Sequence, residues 1–359
     1  VKKYAMLGAI VVLLGAGLWF IYRNPWAPVP TSQQSTLAKE LHLFIWEEYL
    51  DAQIKTDFEK EFGVKIIEDN YGSNEELLAK LQAGGSGYDV IVPTDYTVSL
   101  MRKQNLLAQL NLTNIPNLKH ISENFKNLEF DPQNEVSVPY LWGTTGIGYN
   151  QQELSKAPTS WADLFDPAKL ESHRGRISML NDGRECIGAA LIYLGYSPNT
   201  TDPSQLEEAK QILLKQKEFL AKYDSESFED SLAGNETVIA HSWSGEITVA
   251  GGSNSNLRFV IPKEGSLIFL DNLAIPKSST NQYTAEVFIN YLLRPDVSAK
   301  IVNSRMYASP NEAAKALIKP EILNSPSYLL PEGIKLHWLE DLGSAGDIYQ
   351  KIWTEVKGH

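Results

Sequence analysis

From residue 41 onward, short apolar runs of strand length alternate with stretches of helical period. Runs at 41–46, 64–68 and 88–92 read as strands, and 51–62, 73–81 and 98–104 read as helices. Gly63 closes the first helix as a C-cap residue. Ser73, with Glu76 three positions later, forms a capping-box pattern at the start of the second. A second series follows, with strands at 146–149, 176–180, 238–242 and 257–261, helices at 186–194 and 204–222, and an apolar run at 267–275. The last third is largely helical, at 285–293, 297–304, 312–317 and 348–356. This alternation predicts an α/β fold with a mainly parallel sheet. Two such units in one chain suggest two lobes. The chain is expected to cross between them near 140–150 and again near 271–276, which makes a hinge suited to closure around a ligand. We expect residues 41–138 with 276–310 to form one lobe, and 139–275 with 311–359 the other.

Upstream the pattern changes. Lys2 and Lys3 precede an uncharged stretch at 5–22, and Arg23 is followed by Pro25, Pro28 and Pro30. A helix of this length spans roughly 27 Å at ~1.5 Å per residue, close to the hydrocarbon thickness of a bilayer. The leading lysines favour a cytoplasmic N-terminus with the rest of the chain outside. Residues 1–23 therefore read as an export signal or an N-terminal membrane anchor, and 24–40 as a tether. The small residues Gly15-Ala16-Gly17 sit inside the apolar run, a poor place for cleavage, so an uncleaved anchor is the preferred form.

Composition narrows the chemistry. The 359 residues are 43% hydrophobic and 21% charged, which fits a folded protein of two or three domains. The formal net charge of −12 suits the attraction of cations and disfavours nucleic-acid binding, which calls for a basic face. Cys186 is the single cysteine, so neither an internal disulfide nor a cysteine-based zinc site can form. The six histidines contain no H-E-x-x-H arrangement.

Ligands of open α/β sheets bind beyond the carboxyl ends of the strands. Here those ends carry Trp46-Glu47-Glu48-Tyr49, Thr94-Asp95-Tyr96, Asn181-Asp182-Gly183-Arg184-Glu185 and Trp243-Ser244-Gly245-Glu246, while Phe269-Leu270-Asp271 lies within the last apolar run. Carboxylates and aromatic rings recur together. Carboxylates offset the desolvation of an ammonium group, and ring faces attract cations and pack against methylenes, so an acidic box of rings suits an extended aliphatic amine. A phosphate or carboxylate ligand would need basic side chains, and only Arg184 offers one in these segments. Each element has a bland alternative. Asp182-x-x-Glu185 fits a helix capping box, Trp46 and Trp243 fit a core, and Glu47-Glu48 fit a solvated loop. Asp271 resists such a reading, because an acid inside an apolar run needs a partner. Gly84-Gly85-Ser86-Gly87 precedes a strand and reads as a turn; Ser242-Trp243-Ser244-Gly245 lacks the first glycine of a nucleophile elbow. Cys186 falls within a helical stretch and is expected to be packed.

In this order the segments resemble the spermidine/putrescine-binding proteins of polyamine ABC importers. The resemblance runs from about residue 41 to the C-terminus. It rests on Trp46-Glu47-Glu48-Tyr49, Tyr88-Asp89-Val90-Ile91-Val92-Pro93, Pro139-Tyr140-Leu141-Trp142-Gly143-Thr144-Thr145-Gly146-Ile147-Gly148-Tyr149-Asn150, Thr159-Ser160-Trp161-Ala162-Asp163-Leu164, Ile261-Pro262-Lys263-Glu264-Gly265, Leu293-Arg294-Pro295-Asp296-Val297 and Tyr307-Ala308-Ser309-Pro310-Asn311. It implies a two-lobed periplasmic-binding-protein fold, type II-like, with the ligand between the lobes. Carried over residue by residue, it implies cleft walls of Trp46, Tyr49, Tyr96, Trp243, Phe269 and Tyr307, a small polar contact at Thr94, and amine-binding acids at Glu48, Asp182, Glu185 and Asp271. Glu246 matches an acid of putrescine-preferring members. Three positions depart from the pattern. Glu47 stands where Ser or Thr is usual, Phe269 where Trp is frequent, and Leu339 where Gln contacts the ligand.

The expectation is thus a periplasmic, monomeric, non-enzymatic binding protein that captures a polyamine and delivers it to an ABC permease, with no metal and no cofactor. Two alternatives stay open. One is a binding protein for another cationic solute such as a basic amino acid, whose α-carboxylate would need Arg184. The other is a cell-envelope glycosidase using Asp182 and Glu185.

Overall fold

The computed structural model describes residues 36–47, 49–84 and 87–358. The expected signal or anchor at 1–23 lies outside them, as do most of the tether, Glu48, and the Gly85-Ser86 pair of the glycine-rich turn. The end of the expected tether is held to the body: the Ala38 N–H donates to Thr284 Oγ1 at 2.8 Å. Among the described residues, no helix is long and apolar enough to cross a membrane.

Among the described residues, ten strands form the sheet framework: β1 (Glu40–Trp46), β2 (Lys65–Tyr71), β3 (Val90–Ile91), β4 (Ser137–Asn150), β5 (Ile177–Met179), β6 (Lys222–Tyr223), β7 (Ile239–Trp243), β8 (Leu257–Val260), β9 (Ser266–Ala274) and β10 (Leu336–Trp338). Their order is β2-β1-β3-β9-β4-β7-β5-β6, with β10 on β9 and β8 on β4. The pairing is mixed, where the alternating pattern had suggested a mainly parallel sheet. β1 is parallel to β2 and β3, and β5 to β6 and β7. β4, however, is antiparallel to β9, β7 and β8. The cause is β4 itself, a fourteen-residue strand buried throughout. Its residues 137–144 pair with β9 and its residues 145–150 with β7 and β8, so it passes from one half of the framework into the other.

Local signals place the helices. Asp51 caps Ala52–Phe62 by accepting from the Gln53 N–H, and Gly63 ends that helix with a left-handed φ of 68°. Ser73 caps Asn74–Gln82 by accepting from the Glu76 N–H; Glu76 in turn accepts from the Gly72 N–H. Two large apolar cores result. One gathers Leu43, Ile45, Phe58, Phe288 and Val302, and the other Trp161, Phe165, Leu191, Leu213 and Trp353. Cys186 is packed in the second, its thiol donating to the Leu180 carbonyl at 3.1 Å.

The chain after residue 311 contributes to both cores. Ala314, Ile318 and Ile322 join the first core, and the later Leu339, Tyr349, Ile352, Trp353 and Val356 join the second. The reason is local. Asn311 Nδ2 donates to the Leu293 carbonyl, and Asn303 accepts from the Lys319 N–H, so this stretch stays on the helix Pro295–Arg305.

The entry into β4 depends on one acid. Asp131, 1% exposed, accepts from the backbone N–H groups of Glu135, Val136 and Ser137 and from the Ser137 hydroxyl. Replacing it with Ala strands buried donors at the start of the strand that both halves share. We expect Asp131→Ala to lose roughly 2–4 kcal/mol of unfolding free energy in urea titrations. A loss below about 0.5 kcal/mol, the scale of an ordinary surface substitution, would contradict this role.

Candidate functional site

The strand ends converge on one cavity of about 310 Å³. Trp46 ends β1, and Glu47 and Tyr49 follow; Thr94 and Tyr96 follow β3; Asp182 and Glu185 follow β5; Trp243 ends β7, and Glu246 is in the first turn of the next helix, Ser244–Ser253. Phe269 and Asp271 come from β9, and Tyr307 follows the helix Pro295–Arg305. All of these side chains line the cavity. Of the side chains expected at the site, only Glu48 is outside the described residues.

At one end sits Asp271, 3% exposed. The Tyr49 hydroxyl donates to its Oδ2 at 2.6 Å and the Thr94 hydroxyl to its Oδ1 at 2.7 Å. Thr94 is itself oriented by Asn74, whose Nδ2 donates to its Oγ1 at 3.0 Å. Burial pushes the Asp271 carboxyl up to about 7 despite these donors. Beside it the Tyr307 hydroxyl donates to Glu246, half-buried, whose carboxyl burial raises to about 8. The Tyr49 and Tyr307 rings meet at 5.1 Å, and Phe269 and Tyr307 at 6.1 Å. Two glycines make room for these rings. A Cβ on Gly245 would lie 2.5 Å from Tyr307 Cζ, and one on Gly143 would lie 2.7 Å from Phe269 Cζ.

At the other end Asp182 caps the helix Gly183–Tyr193, its Oδ1 accepting from the Arg184 and Glu185 N–H groups. The capping reading of Asp182 therefore holds, but the reciprocal half of a capping box does not. The Glu185 side chain turns to the cavity, where Thr145 Oγ1 donates to its Oε2 at 2.8 Å and Trp243 Nε1 to its Oε1 at 3.3 Å. Burial, and then the Asp182 charge, push Glu185 up to about 8. Asp182 is raised as well, again by burial. The Trp46 and Trp243 rings meet edge-on at 6.4 Å, and Trp46 is fixed by its Nε1–H to the Val92 carbonyl at 3.0 Å.

Sequence reading missed several lining residues, among them Asp95, Tyr71, Asn74, Glu226 and Glu229. Asp95 stands between two expected contacts and is 3% exposed. It accepts from the N–H groups of Tyr96 and Leu270, and burial raises it to about 8. Glu226 and Glu229 were hidden because the helix expected to 222 ends at Lys217 and the following strand has only two residues. Arg184, the one basic residue of these segments, is turned away from the cavity. Its guanidinium donates to the Glu340 carbonyl and to Asn199 Oδ1, and it sits over the rings of Tyr96 and Tyr349 at 5.1 and 5.0 Å. Among the described residues, no Lys, Arg or His lines the cavity. The arrangement can accept positive charge at both ends and apolar chain between.

The family model for bacterial extracellular solute-binding proteins matches residues 53–328. The spermidine/putrescine-binding periplasmic protein of Escherichia coli is 36% identical over 321 residues, covering 88% of this chain and 91% of that protein. The putrescine/cadaverine-binding protein of Pseudomonas aeruginosa is 35% identical over 337 residues, covering 90% and 95%. A solved structure described as a putative spermidine/putrescine ABC transporter from Listeria monocytogenes has a TM-score of 0.85 at 34% identity, covering 89% of this chain and 99% of that one.

The raised carboxyls fix the sign of a pH effect. Asp95, Glu185, Glu246 and Asp271 bind protons more tightly folded than unfolded. Their stabilising contribution is complete below the unfolded carboxylate range near ~4 and is lost as pH rises through about 7 and 8. We expect the melting temperature of ligand-free protein to fall between about pH 5.5 and 8.5. Glu246→Gln should flatten that slope. A melting temperature that rises over this window would contradict the assignment.

Proposed function

The chain belongs to the bacterial extracellular solute-binding protein family, and on that premise we propose that its cleft captures a polyamine, spermidine or putrescine, outside the inner membrane. The loaded protein then hands the amine to the permease of an ABC importer. In this reading residues 1–23 export the chain to the periplasm or anchor it at the inner membrane, and the protein works as a monomer. The two cores act as lobes that close on the ligand about the strands they share, β4 and β9.

One observation carries the proposal: the cavity is lined by buried carboxylates and aromatic rings and, among the described residues, by no basic side chain. A cavity of this composition is incomplete without a cation. Asp271 and Glu246 receive one ammonium, and Asp182 and Glu185 another. Trp46, Trp243 and Phe269 cover the methylenes between them. The spacing of acids against the spacing of nitrogens supplies selectivity, since a misplaced nitrogen leaves a buried carboxylate poorly paired.

The alternatives fit less well. A basic amino acid would bring an α-carboxylate into a cavity from which Arg184 is turned away. Glycoside hydrolysis needs one carboxylic acid and one free carboxylate, whereas Asp182 is engaged as a helix cap and both Glu185 oxygens accept fixed donors. No catalytic step is proposed.

Calorimetric titration tests the reading. We expect spermidine or putrescine to bind and lysine not to bind. Glu185→Gln and Asp271→Asn should each weaken the amine by about 30- to 1000-fold, the usual cost of removing one partner of a buried charge pair, roughly 2–4 kcal/mol. Carboxyls raised to about 7 and 8 in the empty site must ionise when the amine enters. Binding should therefore release protons, and affinity should rise between about pH 6 and 8. Equal affinity in both variants and wild type would overturn the proposal.

A further inference from the structure

A second cavity, of about 340 Å³, adjoins the cleft. Among the residues that line both spaces are Glu76, Asp182 and Glu226, whereas Glu75 and Lys357 line the second alone. Its acids come from opposite ends of the sheet. Glu75 and Glu76 are in the first turn of the helix that follows β2, while Asp182 follows β5 and Glu226 follows β6. Glu75, Glu226 and Lys357 are exposed, so the cavity opens to solvent. Carboxylates that face each other across a gap repel unless a cation stands between them.

Two observations mark this space as a place for an ammonium group. First, one is already seated there. Lys357 Nζ, from the helix Gly346–Gly358, donates to Asn181 Oδ1 at 3.1 Å and lies 5.4 Å from the centre of the Trp353 ring, within the range of a cation–π contact. That ring is fixed. It is buried, the Tyr223 ring meets it edge-on at 5.0 Å, and Gly183 leaves the room it needs, since a Cβ there would lie 2.7 Å from Trp353 Cγ. Second, Asp182, 5% exposed, keeps one oxygen uncommitted. Its Oδ1 accepts the capping bonds from the Arg184 and Glu185 N–H groups, and its Oδ2 accepts none from the described residues.

We propose that this cavity is an outer ammonium site, which holds an incoming alkylamine before it enters the cleft, and that Lys357 is the resident cation the amine displaces. This rests on the polyamine reading of the cleft. Glu75 and Glu226 meet the amine at the surface. Asp182, shared by both spaces, then passes it inward, so the ammonium exchanges one carboxylate partner for the next and is never left desolvated and unpaired. Charges placed on such an approach act on the rate of association, and the closed complex does not depend on them.

The test is stopped-flow mixing of the full chain with putrescine, followed by tryptophan fluorescence, in wild type and in Glu75→Gln, Lys357→Met and Lys357→Arg. We expect Lys357→Met to raise the association rate constant and Glu75→Gln to lower it, each by about threefold or more, with dissociation unchanged. Lys357→Arg keeps the charge and should keep the wild-type rate. Glu321→Gln, an exposed acid on the helix Pro320–Leu323 that lines neither cavity, controls for net charge and should leave association unchanged. Equal association rates in wild type, Lys357→Met and Glu75→Gln, a change confined to dissociation, or an equal change in Glu321→Gln overturns the outer site and leaves the cleft reading intact. A wild type that binds neither putrescine nor spermidine overturns both.

Discussion

Carboxylates held out of water without basic partners are what the cleft is built around. Asp271, Asp182, Glu185 and Asp95 are each at most 6% exposed, and Arg184, the nearest basic side chain in the sequence, is committed to Glu340, Asn199 and two tyrosine rings. Hydroxyl, indole and backbone donors keep these acids in place without neutralising them. Such donors orient a charge at low cost, whereas full compensation needs a cation. The empty cleft consequently favours protonated acids, and the occupied cleft favours ionised ones.

The scaffold serves this arrangement. Parallel strands deliver Trp46, Thr94 and Asp182 at their carboxyl ends, and the antiparallel pair β4 and β9 adds Thr145 and Asp271 from between the two cores. β4 and β9 contribute residues to both cores, so a change in the angle between the halves would pivot about them. Gly245 and Gly143 allow the tyrosine and phenylalanine walls to approach backbone that any side chain would keep away. The ring walls and the acids are thus set by separate features of the chain, which is how one family can keep the fold and vary the ligand.

Much of this was legible in the chain because strand ends carry their own punctuation. Asp182 precedes a helix and follows an apolar run, and its cap is where the spacing places it. Asp271 was visible as a charge inside an apolar run. The misses have physical causes. The first half of β4 contains Pro139 and Gly143, both unfavourable in strands, and only 146–149 stood out. The helix Ser244–Ser253 is rich in Gly, Ser, Thr and Val, weak helix formers, and packs through Ile247 and Ala250. Asp95 stood within a strand-end segment, but nothing local shows that the Leu270 N–H of β9 donates to its carboxylate and holds it at the cavity. The stretch at 312–323 is attached through asparagine contacts from distant positions, which no local pattern records.

The most direct test of the central claim is a crystal structure of the protein with spermidine. The account predicts one nitrogen within hydrogen-bonding distance, about 2.7–3.2 Å, of Asp271 or Glu246, another equally near Asp182 or Glu185, and the methylenes between the rings of Trp46, Trp243 and Phe269. Spermidine bound outside this cleft, or an anionic ligand occupying it, would contradict the account.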